Sequence, residues 1–275
     1  MTALQKYEAR AEAVNSLLCV GLDPDFAKLP DRFRNSPHPQ FEFCRYLVDA
    51  TQASTAAYKL NIAFFETRGA RGFEELKLIT DYLRSSYPDI LLLCDAKCSD
   101  TVNTNAQYAS AVFDWFGFDG VTVHPYMGGE VLAPFLDRRD KATIVLCLNP
   151  GGREFQTLQT ASGKPLWQTV AELACGEWNR FGNCMLVIGA TKQAEIRSAR
   201  TVAGDMTFLM PGIGAQGGDL EPSVSAGLNS RGKGLIVVVA RSVIFDEHPG
   251  RAASDFRDQI NRVRGRAGSA HAARV

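Results

Sequence analysis

The sequence predicts a single-domain α/β fold, a (β/α)8 barrel of the TIM type, and three observations predict it. Eight short apolar runs recur along 275 residues. The runs are near-continuously hydrophobic rather than alternating, as parallel strands must be when both faces are buried. Between them lie stretches with helical spacing. Eight strand-and-helix units, in a chain near the roughly 250 residues usual for this architecture, favour closure over an open doubly wound sheet.

Taken in order, the predicted strands occupy 16–23, 56–66, 89–97, 120–126, 142–150, 184–190, 207–213 and 235–241. Within 103–117, Ala109, Val112, Phe113 and Phe116 stand at i, i+3, i+4 and i+7, an apolar stripe able to lie against a barrel. Leu166, Val170, Leu173 and Ala174 line one helical face in the same way. Trp115, Trp167 and Trp178 read as helix packing, with no platform spacing for nucleic-acid bases. No linker or low-complexity insert interrupts the pattern, so residues 1–261 are read as the barrel. The basic, small-residue-rich segment 262–275 has no periodicity and is expected to be a disordered tail.

Composition limits function. With 30 basic and 30 acidic residues there is no global field for nucleic acid or anionic membrane, so an anionic ligand must be small and locally held. The polar N-terminus lacks the apolar core of a signal peptide, and no run reaches the roughly 18 apolar residues of a membrane span. Seven cysteines without CxxC spacing, four of them inside apolar runs, fit reduced thiols. A cytoplasmic protein is expected.

In this architecture catalytic groups sit at the C-terminal ends of the strands. Here those ends carry Asp23, Lys59 and Asn61, Asp95 and Lys97, Asn149, and Arg241. Strand alternation places Asp95 and Lys97 on one face, with Asp100 just beyond. A plain Asp–Lys ion pair would account for those two alone. Lys59, in the neighbouring strand, is harder to dismiss, because an unpaired buried ammonium is costly. An alternating array of Lys59, Asp95, Lys97 and Asp100 would satisfy all four charges. Such an array can crowd a substrate carboxylate with an acid and protonate the resulting carbanion from a lysine.

The last two strands lead into Pro211-Gly212-Ile213-Gly214-Ala215-Gln216-Gly217-Gly218 and Ala240-Arg241-Ser242. A glycine-rich loop alone is equally a tight turn. Following strand seven, with an arginine closing strand eight, it reads as a phosphate grip. His124, before proline, reads as a structural imidazole, and Cys98 as a small loop filler.

Five ordered motifs now resemble a known family. They are Lys59-x-Asn61-x-x-Phe64-Phe65-Glu66, Asp95-x-Lys97-x-x-Asp100, His124-Pro125-Tyr126-Met127-Gly128, Asn149-Pro150-Gly151, and the 211–218 loop. Together they resemble the longer bacterial form of orotidine 5'-phosphate decarboxylase, from about Leu18 to Phe245. The resemblance implies decarboxylation of orotidine 5'-phosphate to uridine 5'-phosphate with no cofactor and no metal. It implies a homodimer with shared active sites, Asp100 and Thr104 reaching into the partner's site. Lys97 would be the proton donor, Asp95 the carboxylate facing the substrate's, and Lys59 a ribose contact that orders the array. Asp23 would bind ribose hydroxyls, with Asn61 and Asn149 also on the substrate. Gln216, Arg241 and the backbone at Ala240 would hold the 5'-phosphate.

The chain departs from the family's usual pattern at four positions. Cys98 and Ser99 separate Lys97 from Asp100, and Val102 stands where glycine is usual, which predicts a shifted loop around Asp100. Leu148 replaces a serine that contacts the pyrimidine edge, which predicts the loss of one hydrogen bond to the base. These departures leave a second reading open, a diverged relative that acts on or only binds another pyrimidine nucleotide. A magnesium-dependent sugar-phosphate enzyme shares the Asp-x-Lys-x-x-Asp pattern, but Lys59 would repel the cation where that chemistry wants a carboxylate. A barrel serving only as a scaffold is the third alternative to decarboxylation, after those two, distinguished by its lack of nucleotide affinity.

Overall fold

The structure is a computed structural model that describes residues 1–149, 153–190, 192–214 and 218–272, with the backbone alone at 153 and 267–272. Eight parallel strands close in sequence order: β1 Leu18–Leu22, β2 Ala57–Asn61, β3 Leu91–Cys98, β4 Gly120–Val123, β5 Ala142–Leu148, β6 Cys184–Ile188, β7 Phe208–Met210 and β8 Leu235–Val239. The seam joins β1 to β8, with Leu18 opposite Val237 and Val20 opposite Val239. Each of the eight predicted runs holds one strand, β3 extending one residue past its run to Cys98, and the single-domain barrel expected from the sequence is the observed fold.

The helices of eight or more residues are α1 Ala3–Ala13, α2 Pro39–Thr51, α3 Gly69–Ser86, α4 Val102–Ala109, α5 Gly129–Leu136, α6 Leu166–Cys175, α7 Gln193–Ala203, α8 Leu220–Gly227 and α9 Pro249–Ala272. Helices α2 to α9 follow the strands one by one and form the outer layer. Helix α1 instead lies across the N-terminal end of the barrel. Its Lys6 pairs with Asp119 at 2.7 Å, Arg10 with Asp89 at 2.6 Å, and the Tyr7 hydroxyl donates to the carbonyl of Leu235. That end is covered, and the opposite end remains for ligands.

Apolar burial explains the two layers. Strand β2 sends Tyr58 outward, where its hydroxyl meets Thr51 Oγ1 at 2.8 Å on α2. It sends Lys59 and Asn61 inward to the barrel mouth. The predicted stripe of Ala109, Val112 and Phe113 is buried, and α4 continues into a wider π-helical turn over Ser110–Trp115. Trp115 corrects the packing expectation: it ends that turn and is 65% exposed.

The tail expectation also changes. Helix α9 continues through Arg262 to Ala272, and residues 273–275 lie outside the described ones. Ala253, Phe256, Ile260 and Val263 form one apolar stripe that crosses the predicted boundary, with Val263 5% exposed. Arg264 then fastens the next turn, donating to Gly232 O at 3.1 Å and Asn15 Oδ1 at 3.2 Å. Packing and hydrogen bonds therefore order residues 262–266, where composition alone reads as solvated.

Candidate active site

At the C-terminal mouth lies a cavity of about 290 Å³, near the lower edge of the roughly 300–1,000 Å³ usual for small-molecule sites. Its two halves differ in chemistry. Strands β1 to β4 supply Asp23, Lys59, Asn61, Asp95, Lys97 and Thr122. Strands β5 to β8 supply an apolar wall of Leu146, Val187, Leu209 and Val238, with Asn149, Ala240 and Arg241 towards the rim. A flat ring can lie on the apolar wall while its polar edge meets the charges.

Asp95 is the hub. Its Oδ1 accepts from Lys97 Nζ at 2.6 Å and from Thr122 Oγ1 at 3.0 Å, and its Oδ2 accepts from Lys59 Nζ at 3.1 Å. Burial by itself would raise the Asp95 pKa, but the ammonium groups of Lys59 and Lys97 more than offset it and hold the carboxyl well below the usual range. Burial would likewise lower the pKa of Lys59. The carboxylates of Asp23 and Asp95 reverse that effect, so the Lys59 ammonium stays charged. Three of the four predicted array members thus meet.

The fourth place is taken differently. Within one chain, Asp23 completes the array, with Oδ1 3.8 Å from Lys59 Nζ, buried and without a hydrogen bond. Asp100 does not line the cavity; its Oδ1 accepts from Thr101 N at 2.6 Å. Thr104 is also off the cavity, its hydroxyl 3.3 Å from that of Thr101. Asn105, fully buried on α4, holds the Asp100 segment by donating to Asp100 O at 2.9 Å and Val131 O at 2.7 Å. Val102 simply opens α4 with an ordinary backbone, since among the described residues only Asn15 and Lys97 combine a side chain with positive φ. The shift predicted from the missing glycine has no such cause.

Lys97 reaches Asp95 by a route that strand alternation does not describe. Its φ is +52°, a left-handed conformation that costs a non-glycine residue about 1–2 kcal/mol. The β3–β4 register shifts between Cys94 and Cys98 at the same place. Thr122 stabilises this kink, accepting from Lys97 N at 3.0 Å while donating to Asp95. The sequence reading missed Thr122, although its position inside an otherwise apolar strand was the available signal. Thr122→Val keeps the shape but leaves the Lys97 N–H without its partner and Asp95 Oδ1 with one donor fewer, so it is expected to cost roughly 1–3 kcal/mol. The urea midpoint, measured with kcat, checks this; an unchanged midpoint and rate would refute the role.

Leu148, which the resemblance puts at the base edge, does not line the cavity. The β5–β6 register shifts between Leu146 and Leu148, so Leu146 lines the cavity while Leu148 is 1% exposed and absent from the lining. The Leu148 carbonyl is occupied by Gly189 N at 2.7 Å. Asn149 does line the cavity, its backbone N–H donating to Gln156 Oε1 at 3.0 Å.

At the phosphate side, Gly212 (φ +103°) and Gly214 (φ +76°) take turns that need glycine, and Gly214 N donates to Gly218 O at 3.2 Å to close the neck of the loop. A Cβ on Gly214 would lie 3.0 Å from Ser242 Oγ, so this loop packs on the segment after β8. Ala240 and Arg241 face the same cavity. Gln216 lies outside the described residues, as do Ala215, Gly217, Pro150 and Gly151.

Neither His124 nor Cys98 lines the cavity; Cys98 is not a loop filler but the last residue of β3, opposite Val123, and burial pushes its thiol up to about 11. Among the described residues no group of three or more His, Cys, Asp or Glu is gathered to hold a metal.

Residues 16–256 match the family described as orotidine 5'-phosphate decarboxylase / HUMPS. The chain is 41% identical over 271 residues to the orotidine 5'-phosphate decarboxylase of Janthinobacterium sp. (strain Marseille), covering 95% of this chain and 99% of that one. It is 42% identical over 273 residues to the enzyme of the same name from Dechloromonas aromatica, covering 96% and 100%. Among solved structures, Leishmania donovani OMP decarboxylase superposes with a TM-score of 0.85 at 35% identity, covering 96% of this chain and 99% of that one.

Proposed function

The chain belongs to the orotidine 5'-phosphate decarboxylase / HUMPS family, and from that premise we propose how its cavity divides the work. The reaction is the decarboxylation of orotidine 5'-phosphate to uridine 5'-phosphate and CO2 in pyrimidine biosynthesis, catalysed as a carboxy-lyase. The single observation that carries the proposed roles is Asp95, pinned between Lys59 and Lys97 beside an apolar wall.

A substrate carboxylate brought against Asp95 meets a like charge that cannot be relieved by protonation, since both lysines hold that acid ionised. The bond from ring carbon to carboxylate breaks, CO2 departs, and the electron pair remains on the carbon. The Lys97 ammonium stabilises that charge and passes its proton to it. Lys97 is 50% exposed, so it can recover a proton from water. The two ammonium groups supply the positive charge, and no cofactor is called on.

Asp23 and Asn61 take the ribose, with Lys59 between them and Asn149 across the cavity. Arg241, the backbone at Ala240 and Gln216 hold the 5'-phosphate, whose binding energy draws the substrate carboxylate onto Asp95. Chelator-treated protein is expected to deplete orotidine 5'-phosphate absorbance, with Lys97→Ala inactive under the same conditions. Turnover restored only by magnesium would favour the sugar-phosphate branch of the family. Tight uridine 5'-phosphate binding without turnover would favour the diverged relative.

We also propose a homodimer in which Asp100 and Thr104 complete the partner's site. Both stand outside their own cavity, and Val102 and Tyr108 beside them are 44% and 42% exposed. Mixing Lys97→Ala chains with Asp100→Ala chains is expected to restore activity, because a mixed dimer has one intact site. Random exchange gives about a quarter of the wild-type site count. No recovery after denaturation and co-refolding would refute site sharing. A cytoplasmic location is supported by seven free cysteines, and no helix among the described residues is long and apolar enough to cross a membrane.

A further inference from the structure

Behind the sugar side of the cavity lies a buried polar cluster that the reaction does not use. Gln40, second residue of α2, is fully buried, and Glu75 on α3 is 1% exposed. Glu75 Oε2 accepts from Gln40 N at 2.5 Å and Phe41 N at 2.9 Å, an anion at the positive end of a 13-residue helix. Its other oxygen pairs with Arg68, whose guanidinium also reaches Gln40 Oε1 at 3.4 Å. None of the three lines the cavity.

The amide of Gln40 spends both hydrogens on backbone. It donates to Pro24 O at 3.0 Å and to Phe64 O at 2.7 Å. Pro24 directly follows Asp23, and Phe64 lies in the single helical turn Ala63–Glu66 whose first amide is capped by Asn61 Oδ1 at 3.1 Å. One side chain thereby ties the segment after β1 to the segment after β2. Arg68 adds a second hold on the first of these, its guanidinium 4.3 Å from the centre of the Phe26 ring.

Asp23 has need of such a hold. Its Oδ1 makes no hydrogen bond, and Lys59 stands 3.8 Å away, so the carboxylate is placed chiefly by its backbone. We propose that Gln40, fixed by Glu75 and Arg68, is a positioning residue that sets Asp23 relative to Asn61 and so governs recognition of the ribose hydroxyls. This rests on the reading of Asp23 as a ribose ligand. A satisfied buried network fixes one geometry, whereas an apolar side chain of the same size would leave the Pro24 carbonyl unpaired and the Phe64 carbonyl with only the Thr67 hydroxyl at 3.2 Å, freeing the two segments to separate.

The test compares two inhibitors of orotidine 5'-phosphate turnover, uridine 5'-phosphate and 2',3'-dideoxyuridine 5'-phosphate, on the full chain. Gln40→Met is expected to weaken the first about 10-fold and the second less than about 2-fold, and to add little in an Asp23→Asn background. Equal weakening of both inhibitors, or full additivity with Asp23→Asn, would overturn the proposal. If Asp23→Asn itself fails to distinguish the inhibitors, the ribose reading falls, and the proposal with it, for a different and visible reason. Should Gln40→Met not fold, Arg68→Met must show the same selectivity in smaller degree; its absence would refute the brace.

Discussion

Lys97→Ala is expected to lower kcat by at least ~10⁴-fold while changing uridine 5'-phosphate affinity only a few-fold. Removal of a general acid costs about 10²–10⁴-fold, and removal of a charge aimed at a developing anion about 10²–10³-fold. Both roles reside in one ammonium, so the losses overlap rather than multiply in full. The fold should tolerate the change. Lys97 is half-exposed, its left-handed backbone is no worse for alanine than for lysine, and Asp95 keeps Lys59 and Thr122 as partners. Absorbance assays on the purified variant, with a urea midpoint as control, would refute the assignment if kcat fell less than about ten-fold.

Asp95→Ala is expected to damage both chemistry and stability. It strips Lys59, whose side chain is 6% exposed, of its nearer carboxylate and leaves only Asp23 at 3.8 Å. Breaking a buried pair in this way costs roughly 3–5 kcal/mol. The pH dependence follows from the signs. Asp95 has a depressed folded pKa, so its contribution is complete above the ordinary carboxylate value of about 3.9 and is lost as pH falls through the lower folded value. Lys59 has a raised one, so its contribution is complete below about 10.4 and is lost as pH rises through the higher folded value. From about pH 4 to neutrality the array keeps its charges and wild type should exceed Asp95→Ala by a constant margin, whereas at alkaline pH the margin should narrow, because in the variant the burial of Lys59 is opposed by Asp23 alone and its ammonium gives up its proton more readily. A urea series across pH checks it, and a margin that drifts between about pH 5 and pH 7 would contradict the assigned charge states.

The departures from the family's usual residues look different once packing is known. Leu148 is core, because the register of β5 shifts just before it, and Val102 is an ordinary first helical residue. Neither lines the cavity. High identity to named decarboxylases over nearly the whole chain accords with that geometry.

By itself the sequence determined the barrel and the half of the site that follows from strand ends. Eight runs buried on both faces leave little freedom of architecture, and Lys59 and Asp95 were legible because a charge closing an apolar strand stands out locally. Tertiary structure alone decided the rest. Asp23 rather than Asp100 completes the array within one chain because the closed barrel brings β1 beside β2, with Gly21 opposite Lys59. Thr122 joins the site because the β3–β4 register shift and the left-handed turn at Lys97 aim that backbone amide and Asp95 at its hydroxyl. Val263 and Arg264 order a segment that composition reads as solvated. Local chemistry is written in neighbouring residues, whereas register, backbone handedness and partners tens of residues away are fixed only when the strands pair and the helices pack.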